Sequence, residues 1–156
     1  MWNRWWHEMT TLLVVDDNED IRLLFRYWLS HAGFDVEEVT GGHEALALLS
    51  QGMIPSLIIL DIQMPVMDGW ETLRAIRSSR ATVDLPVLLC TVKGRSLDTV
   101  HGWELGCDGY ISKPFDTGAM LEAIRDVLDR TPEERQQARA SGLADARAQL
   151  ALTEGR

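Results

Sequence analysis

The chain has 156 residues, 46% of them hydrophobic and 25% charged, which is enough for one domain with a full core. A formal net charge of −9 argues against direct contact with nucleic acid, because phosphate binding needs a cationic face. The two cysteines, outside any CxxC pattern, fit a reducing, cytoplasmic compartment, and no apolar run approaches the ~18 residues of a membrane span.

Residues 1–9 carry three tryptophans but neither the apolar segment of a signal peptide nor a strand pattern. A membrane-interface anchor could use such tryptophans. They read better as an upstream extension outside the fold, with Met9 as an alternative start and no function assigned.

From residue 10 to 130, strand-like and helix-like segments alternate five times, with strands at about 11–16, 35–39, 56–61, 85–90 and 109–112. The third and fourth are apolar throughout, as strands are when helices cover both faces of a sheet. The first helix shows one inward stripe of Ile21, Leu24, Phe25, Trp28 and Leu29, starting at Asn18 or Asp20 and stopping at Gly33. The second, about 42–51, turns Ala45, Leu46, Leu48 and Leu49 inward. Asp68-Gly69 opens the third, where Leu73, Ile76 and Arg77 alternate core with solvent. The fourth, about 95–105, can build its stripe from Leu97, Val100 and Leu105, which leaves Trp103 either toward a partner or in the core. The fifth, about 117–129, presents Met120, Leu121, Ile124, Val127 and Leu128. Right-handed crossovers make residues 10–130 an α/β domain: a doubly wound, five-stranded parallel sheet with helices on both faces.

Residues 131–156 form a separate tail. Thr131 can cap a helix with Pro132 at its first position and Glu134 closing a capping box. Beyond that start the composition is Ala-, Arg- and Gln-rich, with Gly142 in the middle and only Leu143, Leu150 and Leu152 as large apolar residues. A helix of this kind is marginal on its own in water. The expectation is a frayed, partly helical extension, with a partner or dimer surface as the alternative.

Four strand ends carry the chemistry. Asp16-Asp17 ends the first strand, Asp61 the third, Thr91 follows the fourth, and Lys113-Pro114 follows the fifth. In an open parallel sheet, ligands bind at that edge. Three carboxylates converging there repel one another unless a cation intervenes, and a hard, oxygen-seeking ion such as Mg²⁺ fits, since it also accepts phosphate oxygens. Asp61 alone at the tip of the central strand suits a nucleophile. Lys113 can neutralise phosphoryl oxygens, and Thr91 can donate a hydrogen bond to one. Phosphoryl transfer needs little beyond positioning, a metal and cationic clamps, and an aspartyl phosphate would be its product. The chain holds only two lysines, Lys93 and Lys113, against thirteen arginines, so a compact point charge at 113 looks chosen for chemistry.

The segment from Leu12 to about Leu128 resembles the receiver domain of two-component response regulators. The resemblance rests on Val15-Asp16-Asp17, on Leu60-Asp61-Ile62-Gln63-Met64-Pro65-Val66-Met67-Asp68-Gly69, on Thr91, and on Gly109-Tyr110-Ile111-Ser112-Lys113-Pro114-Phe115. The gaps of 44, 30 and 22 residues between Asp17, Asp61, Thr91 and Lys113 also look like the family's own. It implies a (βα)5 flavodoxin-like fold, Asp61 as phosphoacceptor, and Mg²⁺ held by Asp16, Asp17, Asp61 and the Gln63 main-chain carbonyl. It places Thr91 and Tyr110 at switch positions that remodel the face of the fourth helix, fifth strand and fifth helix. It also implies a cis Lys113-Pro114 peptide. The chain departs from the family at Val92, where a small residue is usual, and at Cys107, where alanine is common. Gln63 and Lys93 fall at variable positions that tune dephosphorylation.

The implied partners are a histidine kinase or phosphotransfer protein, met through outward Arg22, Leu23, Arg26 and Tyr27 of the first helix, and an unknown downstream protein. A homodimer is a further possibility. The expected function is a stand-alone, non-enzymatic response regulator; a relay intermediate passing its phosphoryl group to a phosphotransfer histidine is the alternative. A flavodoxin-type carrier is disfavoured because Asp16-Asp17 would repel a flavin phosphate. A haloacid-dehalogenase-type phosphatase would want an aspartate where Gln63 stands, and no GxxxxGK[ST] loop supports a nucleotide hydrolase.

Overall fold

The computed structural model describes residues 10–92 and 96–155, so the tryptophan-rich start and Lys93 lie outside the described residues. Five strands, β1 (Thr11–Val15), β2 (Asp35–Val39), β3 (Leu57–Asp61), β4 (Val87–Val92) and β5 (Gly109–Lys113), form one sheet in the order β2-β1-β3-β4-β5, parallel throughout. The helices are α1 (Glu19–His31), α2 (Gly42–Ser50), α3 (Gly69–Ser78), α4 (Ser96–Leu105), α5 (Thr117–Leu128) and α6 (Pro132–Glu154).

Alternation along the strands splits the core in two. Leu13, Val15, Ile58, Leu60 and Leu89 face one side with Ala45, Leu49, Leu73 and Ile76. Leu12, Val14, Leu57, Ile59 and Leu88 face the other with Phe25, Leu29, Met120 and Ile124. Each face shields its helices' apolar stripe, so the inner strands β1, β3 and β4 read as nearly unbroken hydrophobic runs. Caps fall where local chemistry allows: the side chains of Asn18, Asp68, Asp116 and Thr131 accept backbone N–H groups at the starts of α1, α3, α5 and α6.

Several expectations change. In α1, Phe25 and Leu29 are buried but Leu24 is 40% exposed, because the sheet takes a narrower stripe than the sequence pattern offers. In α4, Leu97 is 68% exposed; Val100 and Gly102 face the sheet, and Trp103 lies between Tyr110, with ring centroids 5.7 Å apart, and α6. The tail is one continuous 23-residue helix rather than a frayed one. Its inward face carries Arg135, Ala138, Arg139, Gly142, Leu143, Ala146 and Leu150 at a helical period, with a stripe of small residues, Ala138, Gly142 and Ala146, along it. Gly142 permits the contact: a Cβ there would stand 2.6 Å from the Trp103 ring.

α6 is also pinned electrostatically. Asp108, 3% exposed, accepts the Val87 N–H at 2.9 Å, Arg77 Nη2 at 3.0 Å, and Arg139 Nε and Nη2 at 2.8 and 3.2 Å. Arg77, read from sequence as alternating toward solvent, therefore turns inward; burial, with Arg139 alongside, lowers its pKa to about 10. Removing one member of a buried charge network strands the rest. Asp108→Ala should lower stability by about 3–5 kcal/mol, read as a fall in the urea unfolding midpoint.

Candidate functional site

The strand order reverses between β1 and β3: the chain passes from β1 to β2 on one side, then crosses back to β3 on the other side of β1. A crevice opens at the carboxyl ends of strands at such a switch point. Asp16 and Asp17 follow β1 and Asp61 ends β3, so the fold itself delivers the acids to one place. Carboxylate oxygens of Asp16, Asp17 and Asp61 lie within 4.8 Å of one another. Asp16 is 2% and Asp61 4% exposed, whereas Asp17 faces solvent. Gly69 lets the start of α3 approach closely, since a Cβ there would collide with the Asp61 carbonyl.

Lys113, from the end of β5, places Nζ 2.9 Å from Asp61 Oδ1. Burial opposes its charge, but the hydrogen bond and charge of Asp61 outweigh burial and hold its pKa above the ordinary lysine value. The Gln63 N–H donates to the same Oδ1 at 3.3 Å, so both donors converge on one oxygen and leave Oδ2 to face other groups. The peptide between Lys113 and Pro114 is cis, as the resemblance implied. Thr91, 8% exposed, makes a long 3.4 Å contact from its hydroxyl to the Val92 carbonyl. Together Asp61, Gln63, Thr91, Val92, Asp98 and Lys113 line a recess of about 10 Å³. A wider cleft of about 410 Å³ adjoins it, bordered by Gln63, Met64, Asp68, Trp70 and Asp98.

Tyr110 is not in the recess. Its hydroxyl lies 2.6 Å from the Thr99 carbonyl and 3.2 Å from that of Asp98, sharing one proton with the first turn of α4. Gly102 makes room for it, because a Cβ there would overlap that hydroxyl. Asp98 itself escaped the sequence reading: a helical acid among others carries no signal until the fold brings it to the recess. Val66, in the loop between β3 and α3, holds φ at 69° with its side chain 91% exposed, a conformation that costs a β-branched residue about 1–3 kcal/mol.

The donor set fits a cation. Asp16 Oδ1 accepts the Asn18 N–H at 2.8 Å, but its buried Oδ2 has no hydrogen-bond partner among the described residues. A buried carboxylate oxygen left so is costly unless a positive charge meets it. Burial, and secondarily the charge of Asp61, raise the Asp16 pKa from 3.8 to about 6 against the opposing Asn18 hydrogen bond. The folded state then binds a proton that the unfolded chain releases between pH 4 and 6, so this group's contribution to stability falls as pH rises through that window. In metal-free protein, Asp16→Asn should gain stability relative to the wild type from pH 4 to 6 and level off above, by the order of 2–3 kcal/mol, in melting curves across pH.

The sequence profile of the response regulator receiver domain matches residues 12–125. Among curated proteins, the chain is 37% identical over 133 residues to the DNA-binding dual master transcriptional regulator RpaA of Synechocystis sp., covering 85% of this chain and 55% of that protein. It is 37% identical over 129 residues to the transcriptional regulatory protein CpxR of Escherichia coli, covering 83% of this chain and 53% of CpxR. The chain thus spans about half the length of these relatives. Among solved structures, chemotaxis response regulator CheY4 of Vibrio cholerae superposes with a TM-score of 0.71 at 34% identity, over 76% of this chain and 98% of that one. With its acids, lysine and threonine gathered at the switch point of a (βα)5 sheet, the chain belongs to the response regulator receiver domain family of two-component systems.

Proposed function

We propose that the chain is a phosphoacceptor switch: Asp61 takes a phosphoryl group from a histidine kinase or phosphotransfer protein, and the charge gained changes which partner binds. One observation carries this reading, namely Asp61 at the switch point with Lys113 Nζ at 2.9 Å and the partnerless Asp16 oxygen beside it. In the transfer, an Asp61 oxygen attacks phosphorus in line as the P–N bond of a phosphohistidine breaks. The electron pair leaves with the imidazole, which takes a proton from solvent. Asp16, Asp17, Asp61 and the Gln63 carbonyl would hold Mg²⁺, which when bound neutralises charge between the carboxylates and the phosphoryl oxygens. Lys113 moves from Asp61 to the phosphoryl oxygens, and the Thr91 hydroxyl turns toward one of them. On this reading the chain is not an enzyme with a separate substrate; it assists its own phosphorylation and dephosphorylation in the cytoplasm.

Val92, 40% exposed, lines the recess and adds bulk where the family usually has a small residue. With Gln63 beside it, that bulk slows both phosphoryl entry and water attack. α1 offers the kinase Leu23 at 54% and Tyr27 at 60% exposure, while Arg26 is tied to Glu38 by two hydrogen bonds of 2.8 and 2.6 Å. Output runs through the face of α4, β5 and α5. The net charge of −9 supports a protein partner rather than nucleic acid.

Incubation with Mg²⁺ and acetyl phosphate should add one phosphoryl group by intact mass, lost with EDTA and in Asp61→Asn. Lys113→Ala should slow the gain at least about 100-fold, the scale of a lost charge-stabilising group. A gain that persists in Asp61→Asn would sink the reading.

A further inference from the structure

α4 is lightly held by the sheet it covers. Val100 is its one buried side chain, beside the buried Gly102. α6 supplies much of the remaining packing: Trp103 rests on Gly142, and Glu104 accepts Arg147 Nη2 at 3.2 Å. Arg139 fixes α6 to Asp108, two residues before Tyr110. At its other end, α4 borders the phosphoacceptor recess, because Asp98 lines both that recess and the adjoining cleft. Tyr110 joins the two ends, with its hydroxyl on the carbonyls of Asp98 and Thr99 and its ring edge-on to Trp103. An element with so little buried apolar area belongs to the low-stability end of a fold and moves first when a neighbouring charge changes.

We propose that α6 is a reversible clamp on α4, and that phosphorylation of Asp61 loosens it. The inference rests on Asp61 being the phosphoacceptor. Phosphorylation replaces the single negative charge of Asp61 with about −1.5 to −2, carried further out into a recess that Asp98 lines, and like charges repel. Displacing the first turn of α4 breaks the Tyr110 hydroxyl contact and tilts Trp103 out of its seat on Gly142. α6 then detaches and uncovers Trp103, with the small-residue stripe of Ala138, Gly142 and Ala146, for a downstream protein. Linkage makes the effect reciprocal: a clamp that phosphorylation loosens must itself oppose phosphorylation. α6 is therefore a resident competitor for the output face.

The test is hydrogen exchange by mass spectrometry on the full chain with Mg²⁺, before and after acetyl phosphate, with intact mass taken on the same samples. The phosphorylated protein should exchange the amides of α6 faster by roughly fivefold or more, while those of α1 and α2 stay unchanged. Gly142→Leu, which sets a side chain against the Trp103 ring, should accept the phosphoryl group several-fold faster than wild type. Arg139→Gln, which leaves Arg77 on Asp108, should do the same to a smaller degree and covers the case in which Gly142→Leu does not fold. A phosphoryl gain with α6 exchange unchanged overturns the clamp and leaves the phosphoacceptor reading standing. So does phosphorylation of both variants at or below the wild-type rate. No mass gain in any of the proteins overturns the phosphoacceptor reading and the clamp with it.

Discussion

Three carboxylates held within 4.8 Å at one sheet edge repel one another, and the rest of the structure answers that repulsion. Lys113 reaches back from β5 to meet Asp61, backbone N–H groups of Asn18 and Gln63 hold one oxygen each of Asp16 and Asp61, and one Asp16 oxygen is left without a partner among the described residues. The site is a local cost, not a source of stability. Stability comes from elsewhere: two cores on either side of the sheet, and the Asp108 network at the opposite strand ends. This separation lets the recess carry unbalanced charge without threatening the fold, a division common to sites that break local packing rules for chemistry.

Electrostatics at the two strand ends differ in kind. At Asp108, two guanidinium groups and a backbone N–H satisfy both carboxylate oxygens, and side-chain exposure there is 1%. At Asp16, one oxygen stays open. Closed networks hold elements together, and open ones wait for a ligand. Cys90, between the strands that carry Asp61 and Lys113, adds only apolar lining; burial, and then the nearby Asp61 charge, push its thiol up and keep it inert.

Much of the fold was legible because it repeats at short range. Apolar runs ending in Asp16, Asp61 and Thr91 mark both the buried strands and the edge where the site forms, and Asn18, Asp68 and Thr131 announce their helices by capping chemistry alone. What stayed hidden depends on pairs far apart in sequence. Arg77, Asp108 and Arg139 each look like an ordinary surface charge until the fold joins them across separations of 31 residues. Leu97 fits a helical stripe by spacing yet lies outside it, since α4 turns a glycine toward the sheet to make room for Tyr110. α6 misled for a related reason. Its shortage of large apolar residues suggested weakness, but small residues are what let its backbone sit against the Trp103 ring. The receiver profile ends at residue 125, so nothing in the family pattern spoke for that helix.

The account stands or falls on where the phosphoryl group goes. Borohydride reduction of the protein after treatment with Mg²⁺ and acetyl phosphate converts an aspartyl phosphate to homoserine, which peptide mass mapping then locates. Homoserine at position 61 alone is the predicted result. Homoserine at Asp16 or Asp17, or phosphate retained on a serine or threonine, would contradict it.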